Sequence, residues 1–318
     1  MKTINIIIPC HNEAEVFPKL QERLVELADN NKEYKWEFIF VNDGSRDKTI
    51  EKIKDFADND KRAKYINFSR NFGKETAMLA GLDYADGDAA VIIDADLQDP
   101  PELIPDMIKI WETGVDDVYA RRKSRSGETS LKKWTSSLYY RLLQTTTRVP
   151  IQIDTGDFRL LSRRCVMALR EVRERNRNMK AIFSWVGYKK QEFMYDRDAR
   201  AAGTTQQGYG KLINLAIDGI TSFTTAPLRI AAVIGLLVTF AAFLLMIRVI
   251  IRTVVFGPDT AGYPSLMTAI LFLGGVQLLS LGIIGEYIGR IFIETKNRPL
   301  YFIEESNIKK ANSPTSNE

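Results

Sequence analysis

The sequence predicts an α/β protein with a mainly parallel sheet, followed by a two-helix transmembrane hairpin. Three observations carry this reading. Short β-rich runs alternate with helical stretches over residues 1–120; these runs end in polar loops; and two uncharged apolar runs of spanning length lie near the C-terminus. The 318 residues suffice for one large domain plus additional elements.

Taken in order, strands are expected at 4–8, 36–41, 64–68, 89–93 and 116–120, with helices near 13–30, 47–57, 74–84 and 102–112. Asn12, with Glu15 three residues later, has the form of a helix cap with a reciprocal acidic partner. Repeated β-α-β units place ligands outside the C-terminal ends of the strands. The loops at 9–13, 42–47, 69–73 and 94–99 are therefore the ones to inspect.

Residues 121–148 carry eight Lys or Arg against one acid, Glu128. Leu131, Trp134, Leu138 and Leu142 recur there at helical spacing, the pattern of a cationic amphipathic helix at a membrane interface. A second interfacial helix is expected at 211–226. Nucleic acid is the rival partner for a basic run, but the adjoining apolar pattern favours a lipid surface.

The apolar runs 230–247 and 266–284 hold no charge, and they predict spans at 228–256 and 265–293. Eighteen or so helical residues cover roughly 27 Å, close to the hydrocarbon thickness of a bilayer. Buried core helices are the plain alternative; the short link between two runs of this length favours a hairpin. Arg229, Arg290, Lys296 and Arg298 flank its outer ends, so the positive-inside rule puts the N-terminal domain and the 294–318 tail in the cytoplasm. The tail from residue 306 reads as polar and disordered. Gly282, Gly285 and Gly289 offer a close-packing helix face, within the hairpin or in a homo-oligomer. The chain opens on a strand without signal-peptide features. Two cysteines, Cys10 and Cys165, leave no disulfide framework or structural zinc set, and His11 is the only histidine.

The chemistry centres on Asp94 and Asp96 in Ile93-Asp-Ala-Asp-Leu-Gln98, at the end of an apolar strand. Carboxylates two residues apart share a strand face, where hard oxygen donors suit Mg²⁺ or Mn²⁺ against a diphosphate. Asp43, before Gly44, can bind a ribose or base, or can form the turn itself. Arg70 and Lys74 could meet phosphates, or could be ordinary surface cations.

Together, Pro9-Cys-His-Asn-Glu13, Val41-Asn-Asp-Gly-Ser45, Arg70-Asn-Phe-Gly-Lys74, Asp94-Ala-Asp-Leu-Gln98 and Gly156-Asp-Phe-Arg159 resemble the family 2 glycosyltransferases with the GT-A nucleotide-sugar-binding fold. The resemblance covers residues 4 to about 210, placing the catalytic domain at 1–210. With the hairpin, it narrows to polyprenyl-phosphate glycosyltransferases, above all the bacterial bactoprenol glucosyltransferase branch. It implies that Pro9, His11, Asn12, Glu13, Asp43, Arg70, Lys74, Asp94, Ala95, Asp96 and Arg200 surround the nucleotide sugar. It further implies that Asp94, Asp96 and Gln98 hold Mg²⁺ or Mn²⁺, and that Asp157 is the catalytic carboxylate. Arg122, Lys123, Arg125, Lys132 and Arg159 would face the acceptor phosphate and lipid, Arg159 being equally readable as a partner that Asp157 orients. His11 stands where the family often has tyrosine, and Gln206-Gln-Gly-Tyr-Gly210 departs from its usual Ser-Lys-Tyr continuation.

The resemblance implies transfer of a hexose from a nucleotide sugar, UDP-glucose first, to undecaprenyl or another polyprenyl phosphate. GDP-mannose and UDP-N-acetylglucosamine follow as donors. A processive polysaccharide synthase and a non-catalytic nucleotide-binding scaffold are the rivals. Two spans are few for a glycan channel, and the acidic set argues against loss of catalysis.

Overall fold

The computed structural model describes residues 1–122, 155–195, 226–256 and 262–309. The predicted interfacial helices, the loop linking the spans, and Lys123, Arg125, Lys132 and Arg200 lie outside the described residues. The chain divides into two units.

The first unit holds one eight-stranded sheet. In chain order its strands are β1 (Thr3–Cys10), β2 (Lys35–Asn42), β3 (Ala63–Phe68), β4 (Ala89–Ile92), β5 (Asp117–Arg122), β6 (Thr155–Ser162), β7 (Lys190–Tyr195) and β8 (Ile303–Ser306). Their spatial order is β7-β5-β6-β4-β1-β2-β3-β8. The pairs β1–β2, β1–β4, β2–β3 and β5–β7 are parallel. The pairs β4–β6, β5–β6 and β3–β8 are antiparallel.

Both faces are covered, which is why β1 and β2 read as near-continuous apolar runs. On one face lie α1 (Phe17–Asn30), α2 (Thr49–Asn59) and α4 (Ile104–Glu112), contributing Phe17, Leu20, Leu24, Ile53, Phe56 and Met107 to the core. On the other lie α3 (Lys74–Tyr84), α5 (Arg163–Glu171) and α6 (Met179–Trp185), contributing Met78, Leu82, Val166, Leu169, Ile182 and Phe183. Helix α3 presses closely on β1: a Cβ at Gly81 would lie 2.1 Å from Ile7 Cγ2. This face carries the odd-numbered residues of β6, and alternation therefore sends Asp157 and Arg159 toward α3 and α6.

Two expectations need correction. Asn12 does not cap α1: the helix begins at Phe17 with Val16 at its cap and no side-chain capping bond, and Pro18 sits in its first turn. Asn12 instead adopts a left-handed conformation, φ 58°. Nor is the chain from residue 306 onward wholly detached. Ser306 pairs with Ile66 in β8, and Asn307 Oδ1 accepts the Tyr65 amide at 2.7 Å. Strands β6, β7 and β8 had no counterpart among the expected strands.

The second unit contains α7 (Ala226–Phe256) and α8 (Tyr263–Thr295), which pack on one another. Large apolar side chains such as Leu236, Phe240, Phe272 and Leu279 remain exposed along them. The stretch Phe272–Thr295, mean hydropathy 1.4, is long and apolar enough to cross a membrane; Ala231–Leu245 is a shorter apolar stretch. Among the described residues, a Cβ added at Gly282, Gly285 or Gly289 would meet nothing within 4 Å.

Candidate active site

The site is assembled at the C-terminal ends of β1, β2 and β4, together with the start of β6. Register brings its acids together. In the antiparallel β4–β6 pair, Ile92 faces Arg159, so continuing the same register sets Asp94 against Asp157. Lys74, the first residue of α3, lies between them. Its Nζ is 2.6 Å from Asp94 Oδ1 and 2.5 Å from Asp157 Oδ2.

The turn before α3 directs that lysine. Asp43 is 3 % exposed, and its two carboxylate oxygens accept the amides of Phe72 (2.6 Å) and Gly73 (2.9 Å). Gly73 has φ +95°, a conformation that favours glycine. Gly44, φ +60°, lets the β2–α2 loop approach this turn; a Cβ there would lie 2.4 Å from the Arg70 and Asn71 backbone. Asp43 thus braces the Phe72–Gly73 turn, far from it in sequence, while still bordering the cleft.

The electrostatics follow from burial and pairing. Burial opposes the charge of Lys74, but Asp94 and Asp157 outweigh it and hold the ammonium above the ordinary lysine range. Burial pushes the Asp157 carboxyl up; Lys74, Lys180 and Arg159 outweigh that and hold it below the ordinary carboxylate range. Neighbouring Glu75 is raised by burial and by the Asp157 charge, while accepting the Met179 amide at 2.6 Å. Neither Lys180 nor Glu75 carried a motif signal; only the fold brings them near Asp157.

The cleft itself, about 290 Å³, is bordered by Pro9, His11, Glu13, Asp43, Lys74, Asp94, Ala95 and Asp96. Eight of the expected donor residues therefore converge. Asn12 and Arg70 border an adjoining cavity of about 660 Å³, which shares His11 and Asn71 with the cleft. Arg70 lies over the Phe72 ring at 4.0 Å and donates to the Asn71 carbonyl.

The residues fit a divalent cation. Oδ1 of Asp157 is buried and receives no hydrogen bond among the described residues, whereas Oδ1 of Asp94 already lies against the Lys74 ammonium. Asp96 is half-buried on the same cleft, and its Oδ1 accepts the Gln98 amide at 3.1 Å. Leu97 between them has φ 58°, a strained conformation for a leucine and one that over-determined functional loops retain. Among the described residues no group of three His, Cys, Asp or Glu converges on one point, and the donors bordering the cleft beside each other are the Asp94 and Asp96 carboxylates.

Arg159 departs from its expected acceptor-facing role. Its side chain is 0 % exposed, packs over the Phe183 ring at 3.8 Å, and pairs with Asp117 Oδ2 at 3.1 Å. Burial pushes the Asp117 carboxyl up against the pull of Arg159. Among the described residues the Arg159 guanidinium pairs with Asp117, and its charge helps hold the Asp157 carboxyl down. Arg122 ends β5, paired in register with Tyr195.

Residues 5–170 match glycosyl transferase family 2, and residues 226–291 match the GtrB C-terminal hairpin. An uncharacterized glycosyltransferase of Synechocystis sp. is 46% identical over 302 residues, covering 95% of each chain. The SfII prophage-derived bactoprenol glucosyl transferase of Shigella flexneri is 46% identical, covering 95% of this chain and 98% of that one. The prophage bactoprenol glucosyl transferase homolog of Escherichia coli K12 matches at 46% over the same shares. A more distant solved structure is glucosyl-3-phosphoglycerate synthase from Mycobacterium tuberculosis in complex with Mn²⁺, UDP-glucose and phosphoglyceric acid. It aligns with TM-score 0.48 and 17% identity over 69% of this chain and 78% of that one.

Two outcomes are expected from this geometry. Lys74→Met leaves Asp94 and Asp157 facing each other without their cation. In the wild type, the depressed Asp157 contributes stability above its unfolded pKa, and this is lost as pH falls through the folded value. Lys180 and Arg159 remain beside the carboxyl in the variant, so its depression is reduced rather than abolished. The melting-temperature difference between the two proteins should therefore hold from about pH 7 to about pH 5 and shrink as pH falls below about 4, through the folded value; a difference that stays constant to the lowest pH would refute the pairing. Arg159→Ala leaves buried Asp117 with only the more distant Lys190, 4.0 Å away, and should cost about 3 kcal/mol in denaturant unfolding, a loss too large for a surface phosphate ligand.

Sequence, site and hairpin agree: the chain belongs to glycosyl transferase family 2 and carries the GtrB C-terminal hairpin.

Proposed function

We propose that this glycosyltransferase moves a hexose, glucose from UDP-glucose, onto polyprenyl phosphate at the cytoplasmic face of a membrane. The observation that carries the reading is the meeting of Asp94 and Asp157 on Lys74 at the cleft. It occurs in a chain 46% identical to a bactoprenol glucosyl transferase over 95% of its length.

Lys74 borders the cleft, where its ammonium would offset the negative charge of a bound diphosphate. A divalent cation, Mg²⁺ or Mn²⁺, held by Asp94, Asp96 and Gln98 would further neutralise the departing nucleoside diphosphate. The acceptor phosphate oxygen forms the new bond to the anomeric carbon as the bond to UDP breaks, inverting an α-linked donor to a β-linked product. Asp157, held anionic by Lys74, orients the acceptor side of the cleft.

The exposed apolar side chains of α7 and α8 support a hairpin surrounded by lipid, with two spans. Chain continuity supports one orientation. Only Lys296 and Asn297 separate α8 from Arg298, which already belongs to the catalytic unit, and the cationic flanks favour the cytoplasm for that side. The open glycine face of α8 leaves room for a second copy.

The test is a donor screen. Membranes containing the protein are incubated with labelled UDP-glucose, UDP-N-acetylglucosamine or GDP-mannose, polyprenyl phosphate, and Mg²⁺ or Mn²⁺. Labelled monoglycosyl lipid from UDP-glucose is the expected product, and Asp96→Asn should lower its rate at least about 100-fold while remaining folded in the membrane. No lipid-linked sugar from any donor would overturn the assignment, and a polymer would favour a synthase.

A further inference from the structure

A row of polar groups joins the donor loop to the strand that follows the hairpin. The Asn12 amide donates to Ser45 Oγ (2.9 Å), and Ser45 Oγ donates to Asn42 Oδ1 (2.5 Å). Asn42 Nδ2 then donates to Asn67 Oδ1 (2.7 Å), and Asn67 Nδ2 to Glu304 Oε2 (3.1 Å). The row crosses the C-terminal ends of β2 and β3 and finishes on β8. Asn42 and Asn67 are buried, where an amide without a partner is costly, so each member fixes the orientation of the next.

Both ends of the row are held. At the near end, the Arg46 amide donates to Asn12 Oδ1 at 2.8 Å, helping keep Asn12 at φ 58° beside His11. At the far end, the Ser69 amide donates to the Phe302 carbonyl at 3.1 Å, and Tyr301 stacks on Phe68 with ring centroids 5.1 Å apart. Residues 298–309 fall outside both family matches, and no sequence motif singles out Glu304.

We propose that Glu304 is a positioning residue for the donor site. Acting through Asn67, Asn42 and Ser45, it sets the conformation of the His11–Asn12 turn beside the acid cleft. The carboxylate acceptor fixes which way the Asn67 amide points. Without it, the amide can rotate and turn its NH₂ toward that of Asn42, breaking the row at its centre. The inference rests on the nucleotide-sugar reading of the cleft.

The full-length protein, purified in lipid nanodiscs, tests this with UDP and GDP binding by calorimetry and with transfer kinetics. Glu304→Ala should raise the UDP dissociation constant and the donor KM about five- to tenfold. kcat should stay within about twofold, and the acceptor KM should be unchanged. Glu304→Gln retains an oxygen acceptor and should bind as wild type. Asn67→Asp sets a carboxylate against Glu304 and should reproduce the loss; adding Glu304→Gln, whose NH₂ can donate to the new aspartate, should recover it. Unaltered UDP affinity in Glu304→Ala overturns the proposal. So does a Glu304→Gln variant as weak as the alanine variant, or a parallel fall of kcat and melting temperature. A wild type that binds neither nucleotide overturns the donor reading as well; wild-type binding equalled by Glu304→Ala overturns this inference alone.

Discussion

One ammonium group shared by two carboxylates organises this site. Asp94 lies two residues past the end of β4 and Asp157 near the start of β6, and their register would leave two negative charges facing each other at the edge of the core. Lys74 resolves the repulsion by contacting both. Its placement depends on elements well separated in sequence: the Asp43 carboxylate that gathers the Phe72 and Gly73 amides, the left-handed glycine, and the close approach at Gly44. A nucleotide sugar and a lipid phosphate are both anionic. A site that must bring them together needs cationic charge already fixed in place, since reorganising it during the reaction would add to the barrier.

The parallel half of the sheet was legible in the sequence because β1 to β4 are buried on both faces and read as apolar runs ending in polar loops. Helix α3 fell where its pattern put it, from Lys74 to Tyr84. The cap at Asn12 was misread because Asn-x-x-Glu fits a helix start locally, whereas Pro18 in the first turn and the bonds to Ser45 and Arg46 move the helix onset to Phe17. The acceptor-facing role of Arg159 rested on the family resemblance of Gly156-Asp-Phe-Arg159, with pairing to a buried carboxylate as the alternative. The antiparallel register that buries Arg159 against Phe183 is a long-range fact with no local trace. Strand β8 has four residues, two of them glutamates, and nothing local distinguishes it from a polar tail.

That short strand solves a problem created by the parallel sheet. Without it, β3 would present an unpaired edge. Covering it with chain that follows α8 stabilises the edge and ties the end of the hairpin covalently to the catalytic unit. Tyr301 secures the attachment through its hydroxyl, which donates to Asp83 at 2.7 Å; that carboxylate also pairs with Arg173. The first unit is therefore discontinuous in sequence, with the hairpin an insertion within it.

The state of Asp157 bears on how the acceptor is activated. Lys74, Lys180 and Arg159 hold its carboxyl below the ordinary range despite burial, and a weakly basic carboxylate is a poor proton acceptor near neutral pH. A phosphate monoester has its second pKa near about 6, so much of the acceptor is already a dianion under those conditions. Its attacking oxygen has no proton that must be removed. The demand on the protein is then electrostatic and geometric: hold the donor diphosphate against fixed positive charge and orient a nucleophile that arrives deprotonated. A carboxylate locked into an ion pair suits that task, because it fixes the Lys74 ammonium at the cleft without competing for a proton.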